Sequence, residues 1–532
     1  MMDAFRKMPI GIQDFEKLRT NGYLYVDKTA YIYRLISRGK PYFLSRPRRF
    51  GKSLLLSTLK AYFQGKKELF DGLAIAGLEK DWIEYPVIHL DMSIGSYTSV
   101  EKLLDVLVGK LKPYEQEIGY THTTSDLPSR FQELIMQTAA KAGRRVVVLI
   151  DEYDAPLLDT LDNIDLHDEI HKHLADFYLT LKGSDAYLQF IFLTGVTKFA
   201  QLNVFSKLNQ LDDISLQDPY AGICGITEEE LLHNFQPELH ALAAYNDQTY
   251  DEAVAEMKKR YDGYHFARKS PDVYNPFSVL RVLDTKTYRD YWFKTATPTA
   301  LVKLVKQQRL PVSEIERGVW AREKDIEDFR VGKSSLIPFL YQSGYLTIEG
   351  YKKEFNTYTL GFPNEEVRYG FYEELLLQYA PASGESEFTP NAFLEELYAG
   401  DVDSFMNRIR ALFASIPYST ADGGTRGEDF YQSVFFLLFR LLGQYSQMEV
   451  ASARGRADLV VTAPDTLYVF EFKMMNSGTA EDALQQIDDK GYAIPYSAGT
   501  RKVVKIGAEF SEEERTVSRW VQSVQTGKII SL

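Results

Sequence analysis

A short apolar run, Tyr42-Phe-Leu-Ser45, leads directly into Arg46-Pro-Arg-Arg-Phe-Gly51-Lys52-Ser53 and then into Leu54 to Phe63, a helical stretch with one apolar face. Further along, Val146-Val-Val-Leu-Ile150 delivers Asp151 and Glu152. No other pair of features restricts the fold as tightly. Where a loop joins a strand to a helix, successive backbone N–H groups and the helix N-terminus surround phosphate oxygens. A Lys at its end reaches the β/γ oxygens, and the next Ser or Thr hydroxyl holds Mg²⁺. Gly51, Lys52 and Ser53 occupy those places, which makes ATP the first expectation. The second run is too apolar for anything but a strand covered on both faces, and it brings its acids to the carboxyl edge, where parallel sheets bind ligands. Asp151 suits a water-mediated hold on Mg²⁺, and Glu152 suits general-base work on the attacking water. Capping of the following helix is the plainer use of adjacent acids.

One position disagrees with the usual GxxxxGK(S/T) spacing, which calls for Gly where this chain has Arg46. A positive φ there would strain a side chain, so the loop must open differently. Arg46, Arg48, Arg49 and Lys52 suit triphosphate or nucleic-acid phosphate, while Arg48 and Arg49 equally suit solvated charge. The triplet alone says little, since Gly332-Lys333-Ser334 repeats it with no strand before it. A further strand, Gln189 to Leu193, ends in Thr194-Gly-Val-Thr197-Lys198. Thr194 and Thr197 are candidates to sense the γ-phosphate, or to cap a helix.

At 532 residues the chain exceeds what one core supports. A hydrophobic share of 45% with 25% charged residues describes a soluble globular protein. A lone cysteine, Cys224, excludes an internal disulfide framework and a multi-cysteine zinc site, and reads as a core residue. The N-terminal residues hold no apolar stretch of signal-peptide length, and the most apolar helix, Ser433 to Leu442, is broken by Arg440. The expectation is a cytoplasmic protein with no membrane partner. The net charge of −13 argues against a general nucleic-acid coat protein. Residues 1–60 nonetheless carry thirteen Lys/Arg against four Asp/Glu, which makes the loop region basic.

Strands near Tyr42, Pro86 to Asp91, Val146 and Phe190 alternate with helical stretches, which implies a parallel sheet over residues 1–226. Residues 227–380 turn helical and tyrosine-rich, as expected of a lid and connector, and Ala380 to Glu387 is the best linker. Residues 388–532 form the last domain. His167 and His171 lie four apart on a helix, but the zincin pattern needs Glu where Asp168 stands, so a solvated helical face is the default. His265 reads as an aromatic-cluster or hydrogen-bonded residue.

In the last domain, Gly455 to Val461 and Leu467-Tyr-Val-Phe-Glu471-Phe-Lys473 flank a Pro464-Asp465 turn and predict a hairpin. Residues two apart in a strand share a face, so Glu471 and Lys473 point one way while Phe472 packs the core. Asp458 begins the partner strand and can lie beside them. Two carboxylates and a lysine at one hairpin end can hold Mg²⁺ through hard oxygens, with Lys473 orienting or deprotonating water. Glu428, opening the helix through Arg440, is a candidate third carboxylate. An ordinary surface ion pair beside a core aromatic is the plainer reading of Glu-Phe-Lys taken alone.

The runs Met8 to Glu16 and Gly22 to Thr29, then Arg46 to Ser53, Leu149-Ile-Asp-Glu-Tyr-Asp154, Thr194 to Thr197 and Tyr261-Asp-Gly-Tyr-His-Phe266 resemble the bacterial AAA-ATPase-like family. Its members commonly end in a PD-(D/E)XK nuclease-superfamily domain, and the likeness spans essentially the whole chain. That family's loop reads RPRRFGKS, which accounts for Arg46 and extends the candidate nucleotide ligands to Arg46 and Arg49. The implied fold class is α/β: a P-loop NTPase parallel sheet with a helical lid and connector, followed by a restriction-endonuclease-like α/β domain. There Asp458, Glu471 and Lys473 match the D…ExK motif, Glu428 the upstream helical acid, and Gln486 the following helix. Tyr431-Gln432 stands where a histidine would follow the tyrosine. The expected activity is ATP hydrolysis coupled to Mg²⁺-dependent DNA cutting, with a nuclease-like module that only binds a partner as the alternative. A homo-oligomer supplying an arginine in trans is compatible with such a site, and no residue identifies itself for that role.

Overall fold

The computed structural model describes residues 6–39, 41–198, 211–293, 315–316, 318–327, 329, 335–379, 390–414, 428–444, 449–451, 457–494, 501–511, 513–514 and 516–525. The expected linker at 380–387 and the second Gly-Lys-Ser triplet at 332–334 lie outside them. Two compact units emerge, one of residues 1–300 with 318–367 and one of residues 301–317 with 368–532.

The first unit is built on strands β1 (Tyr42–Ser45), β2 (Val87–Asp91), β3 (Val146–Asp151), β4 (Leu188–Gly195) and β5 (Asp212–Asp213), in the order β2-β3-β4-β1-β5 and parallel throughout. Every residue of β1 and β3 is buried, as their unbroken apolar sequences require of strands covered on both faces. Each aliphatic side chain so buried contributes about 1.5–3 kcal/mol of transfer free energy. Helix α1 (Lys52–Phe63) follows the loop and packs against β2, β3 and β4 through residues such as Leu55, Leu56 and Leu59. Register aligns Ser45 with Gly195 and Asp91 with Asp151, so the loop, the acids and the end of β4 share one sheet edge.

Residues 227–367 hold more strand than their composition announces. Besides four helices between Glu228 and Thr285, there is a small ladder of β6 (Ile226–Thr227) with β7 (Val273–Tyr274). An antiparallel sheet of β8 (Val319–Ala321), β9 (Thr347–Lys352) and β10 (Thr357–Gly361) follows, ordered β8-β10-β9. The β9–β10 hairpin turns through Asn356 at φ 50°, a conformation Asn tolerates. Its β-branched and aromatic alternation was the available signal, outweighed by the helical segments before it. Helix α2 (Glu365–Tyr379) starts with Glu366 almost wholly buried, its carboxylate accepting from Ser278 Oγ at 2.7 Å and Trp292 N at 2.6 Å.

The second unit carries helix α3 (Glu428–Gln444) and a mixed sheet of β11 (Glu449–Ala451), β12 (Leu459–Thr462), β13 (Thr466–Met474), β14 (Lys502–Ser511) and β15 (Thr516–Gln525), in sequence order. The expected hairpin is β12–β13, with Leu459 opposite Phe470 and Thr462 opposite Leu467. Helix α4 (Ala480–Asp489) is the crossover joining β13 to its parallel neighbour β14. It lies so close to the sheet that a Cβ on Gly507 would sit 2.2 Å from Ala480 O and 2.5 Å from Leu484 N, so only glycine fits there. No helix among the described residues is long and apolar enough to cross a membrane.

Burial lifts the Glu366 carboxyl from 4.5 to about 8, against weaker downward pulls from its donors. The folded state therefore holds a proton that the unfolded chain releases, and this contribution is fully present below about pH 4.5 and lost as pH rises through 8. Glu366→Gln should flatten that loss, so that the variant melts above wild type at pH 8.5 but not at pH 5. Parallel melting curves at both pH values would contradict it.

Candidate functional site

Arg46 N donates to Gly195 O at 3.1 Å, tying the start of the loop to the end of β4. Arg46 is not among the residues with positive φ; the left-handed positions are Arg49 at 69° and Gly51 at 95°. The strain that the spacing located at position 46 is thus carried three residues later, by a residue that also has a side chain. The Arg46 guanidinium is buried, donating to Ser45 O and Ser215 O, each at 2.8 Å, and lying 4.2 Å from the centre of the Phe266 ring. Those contacts make it a brace of the loop's opening. Its expected role as a phosphate ligand does not fit a guanidinium committed to carbonyls. Arg49 is exposed, with its guanidinium 4.9 Å from the Phe277 ring centre.

Gly51 caps α1 without a side-chain hydrogen bond, and a Cβ there would meet nothing within 4 Å. Open space therefore lies beside Gly51 at the N-terminus of α1, where the first N–H groups of a helix have no partner within it. Lys52 is buried, its Nζ donating to Arg46 O at 3.1 Å and Pro47 O at 3.2 Å. The same ammonium lies 3.1 Å from Glu152 Oε1. Loop and acidic strand, far apart in sequence, meet through this pair. Ser53 follows as a partly exposed residue of the first helical turn.

Asp151 is buried and accepts from Thr194 Oγ1 at 2.6 Å. Glu152 adopts φ 50°, a strained backbone for a non-glycine residue, immediately after the strand that presents it. Thr197 is turned elsewhere: its N and Oγ1 donate to Asp154 Oδ2 at 2.6 and 2.7 Å, and Val196 N adds a third donor. Asp154 is wholly buried, and its carboxyl is lifted to about 6 by desolvation first and the Glu152 charge second. Sequence reasoning passed over Asp154. Its signal was the third acid in Asp151-Glu-Tyr-Asp154, which only the return of β4 beside β3 turns into a clamp on the Thr194–Thr197 segment.

Beside Gly51 opens a recess of about 630 Å³, solvent-facing space included, walled by Leu24, Val26, Leu55, Cys224, Ile226 and Leu280. It explains the buried cysteine as part of an apolar wall. His167 is likewise buried, with Nδ1 3.2 Å from Leu157 O, which corrects the expected solvated face. His265 is hydrogen-bonded, its Nδ1 2.8 Å from Asp272 Oδ1.

In the second unit the hairpin brings Asp458 to Glu471: Asp458 N donates to Glu471 Oε2 at 3.3 Å, and Asp458 Oδ2 accepts from Phe472 N at 2.8 Å. Glu471 is nearly inaccessible, and Gln486 on α4 donates to its other oxygen. Burial first, then the Asp458 charge, raise Glu471 to about 7. Among the described residues no three acids, histidines or cysteines gather as a metal site. Glu428 opens α3, as expected, and its side chain falls outside the described ones. Lys473 is half-buried and stands in register with Glu509 on β14, whose Oε2 accepts from Ala480 N at 3.1 Å at the head of α4. Glu509 was not legible beforehand, because its place depends on β14 pairing parallel to β13.

The chain matches the family model described as Predicted AAA-ATPase over residues 9–205 and that of the PD-(D/E)XK nuclease superfamily over residues 426–520. It is 39% identical over 523 residues to "Uncharacterized protein in vnfD 5'region" from Azotobacter chroococcum mcd 1, covering 97% of this chain and 98% of that one. An α/β chain pairing a nucleotide-loop domain with a nuclease-superfamily domain is the class this defines. The chain belongs to the AAA-ATPase-like family with a C-terminal PD-(D/E)XK domain.

Asp154→Ala should strand the Val196 N, Thr197 N and Thr197 Oγ1 donors and lower stability by about 3 kcal/mol or more, at about 1–3 kcal/mol per unsatisfied group. Urea unfolding of the full chain measures this. An unchanged midpoint would show that the clamp does not hold the segment.

Proposed function

We propose that the chain binds ATP with Mg²⁺ and hydrolyses it, and that nucleotide state governs a Mg²⁺-dependent DNA-cutting centre near the C-terminus. The observation that carries the reading is the Lys52–Glu152 contact at 3.1 Å, with Thr194 holding Asp151 beside it. A cation for the β/γ oxygens then stands next to a carboxylate able to take a proton from water, at the edge where Gly51 leaves room for phosphate. Ser53 and Asp151 would hold the metal. Arg49 is free to meet phosphate from solvent, Thr194 links that region to β4, and Thr197 acts through Asp154. The apolar recess beside Gly51 suits a purine base.

In this reading residues 1–226 work the nucleotide, 227–380 act as lid and connector, and 388–532 act on DNA. Asp458 and Glu471, with Glu428, would hold the second metal, and Lys473 would orient or deprotonate the attacking water. Magnesium supplies charge neutralisation at phosphate oxygens and a more acidic water at both centres. The protein acts in the cytoplasm, and homo-oligomers are compatible with it. A second reading is binding without cutting, since a paired Asp458 and Glu471 give capacity for metal and not access for a substrate.

Lys52→Ala combined with Glu152→Gln should lower ATP turnover by at least about a hundredfold while the fold persists; undiminished turnover would exclude this site. Glu471→Ala and Lys473→Ala should each abolish Mg²⁺-dependent DNA cleavage, and a wild type that binds Mn²⁺ and DNA yet cuts neither single nor double strands would establish the second reading.

Metal must displace the proton that Glu471 holds up to about pH 7. Mn²⁺ affinity at this centre should therefore fall about tenfold per pH unit below 7 and level off above it. Calorimetric titration of wild type against Asp458→Ala, which should bind far more weakly at every pH, checks the slope.

A further inference from the structure

Trp292 is wholly buried, and its Nε1 donates to Arg48 O at 2.9 Å. Arg48 lies between Pro47, whose carbonyl receives Lys52, and the left-handed Arg49, so this bond grips the phosphate loop at its middle. Tyr345 and Tyr264 surround the indole, at 5.5 and 6.3 Å between ring centres. The packing leaves no slack: a Cβ on Gly344, itself at φ 91°, would lie 2.7 Å from Pro47 Cβ and 3.4 Å from Trp292 Cζ2. At its other end Trp292 donates its backbone N–H to Glu366 Oε1 at 2.6 Å, while Ser278 Oγ holds Oε2 at 2.7 Å. Glu366 is the second residue of α2, whose residues from Arg368 onward belong to the second compact unit.

From this geometry we propose that Trp292 is a positioning residue and a transmitter, its indole setting the phosphate loop through Arg48 O and its amide passing a shift of that loop through Glu366 to helix α2. The proposal rests on the ATP reading given above. Nucleotide that engages Lys52 must draw it from Arg46 O and Pro47 O, next to the carbonyl Trp292 holds. A rigid aromatic bonded at both ends cannot absorb that change locally, whereas a solvent-facing loop could.

The test uses the full chain, with hydrogen exchange over residues 365–379 followed with and without ATP and Mg²⁺. Wild type should change exchange there at least twofold on saturation. Trp292→Phe keeps a buried aromatic ring while removing the donor to Arg48 O together with part of the indole's volume. It should weaken ATP binding about tenfold and abolish the response of 365–379 even when saturated. Glu366→Gln, which retains an acceptor for the Trp292 amide, should respond as wild type does. A Trp292→Phe chain with an intact response, or a wild type that binds ATP with no response in α2, overturns the proposal.

Should Trp292→Phe fail to fold, 5-fluorotryptophan in the otherwise wild-type chain serves instead. The fluorine resonance of Trp292 should move on addition of ATP and Mg²⁺, and a stationary resonance in a nucleotide-bound chain overturns the proposal equally. Absence of ATP binding in the wild type, matching Lys52→Ala, would sink the nucleotide site along with the Trp292 link.

Discussion

The ammonium of Lys52 ties the first unit's loop to its acidic strand, because two separate stretches of chain supply its partners. Two loop carbonyls, Arg46 O and Pro47 O, and the Glu152 carboxylate converge on one buried nitrogen. A buried cation is tolerated only when such partners offset its lost hydration, so the loop's path and the end of β3 are mutually required. The sheet order makes this possible. With β4 between β1 and β3, the loop and the acids stand on either side of Thr194 and not at opposite ends of the sheet.

Around that nitrogen the structure uses backbone strain where side-chain chemistry must be aimed. Among the described residues six non-glycine positions have positive φ, and two of them, Arg49 and Glu152, flank the Lys52 contact. Of the others, Lys286 ends a helix and Asn356 turns a hairpin, both ordinary uses of that conformation. Strain persists only where surrounding contacts over-determine it. Here those contacts are the Arg48–Trp292 bond beside Arg49 and the Thr194–Asp151 bond beside Glu152.

Much of this could be read from residue order because it is local. A run of five aliphatics followed by two acids defines a buried strand and its edge, and Glu-Phe-Lys after a turn defines a hairpin face. Arg46 shows where locality ends: motif spacing identified an anomalous residue but not that its guanidinium would stack on Phe266, far along the chain. Asp154, Trp292 and Glu509 are the same case, since each acts through a partner supplied by another strand or helix. His167 was misread because helical spacing shows which residues share a face and not which face is covered. The β8–β9–β10 sheet was missed because short strands inside a helix-rich stretch give weak periodicity.

The two centres solve one electrostatic problem in different ways. At the first, Lys52 stands against Glu152, and the buried Asp151 accepts from the Thr194 hydroxyl. At the second, Lys473 counters Glu471 less than burial and Asp458 oppose its ionisation, and the carboxyl rises to about 7. The first site is therefore arranged around a cation that the protein carries itself, whereas the second holds a carboxyl that keeps its proton to a higher pH than usual. This difference follows from strand geometry. A loop can fold a lysine back between two of its own carbonyls, but on β13 Glu471 and Lys473 are held two residues apart on one pleated face, and the lysine stays level with Glu509 on the neighbouring strand.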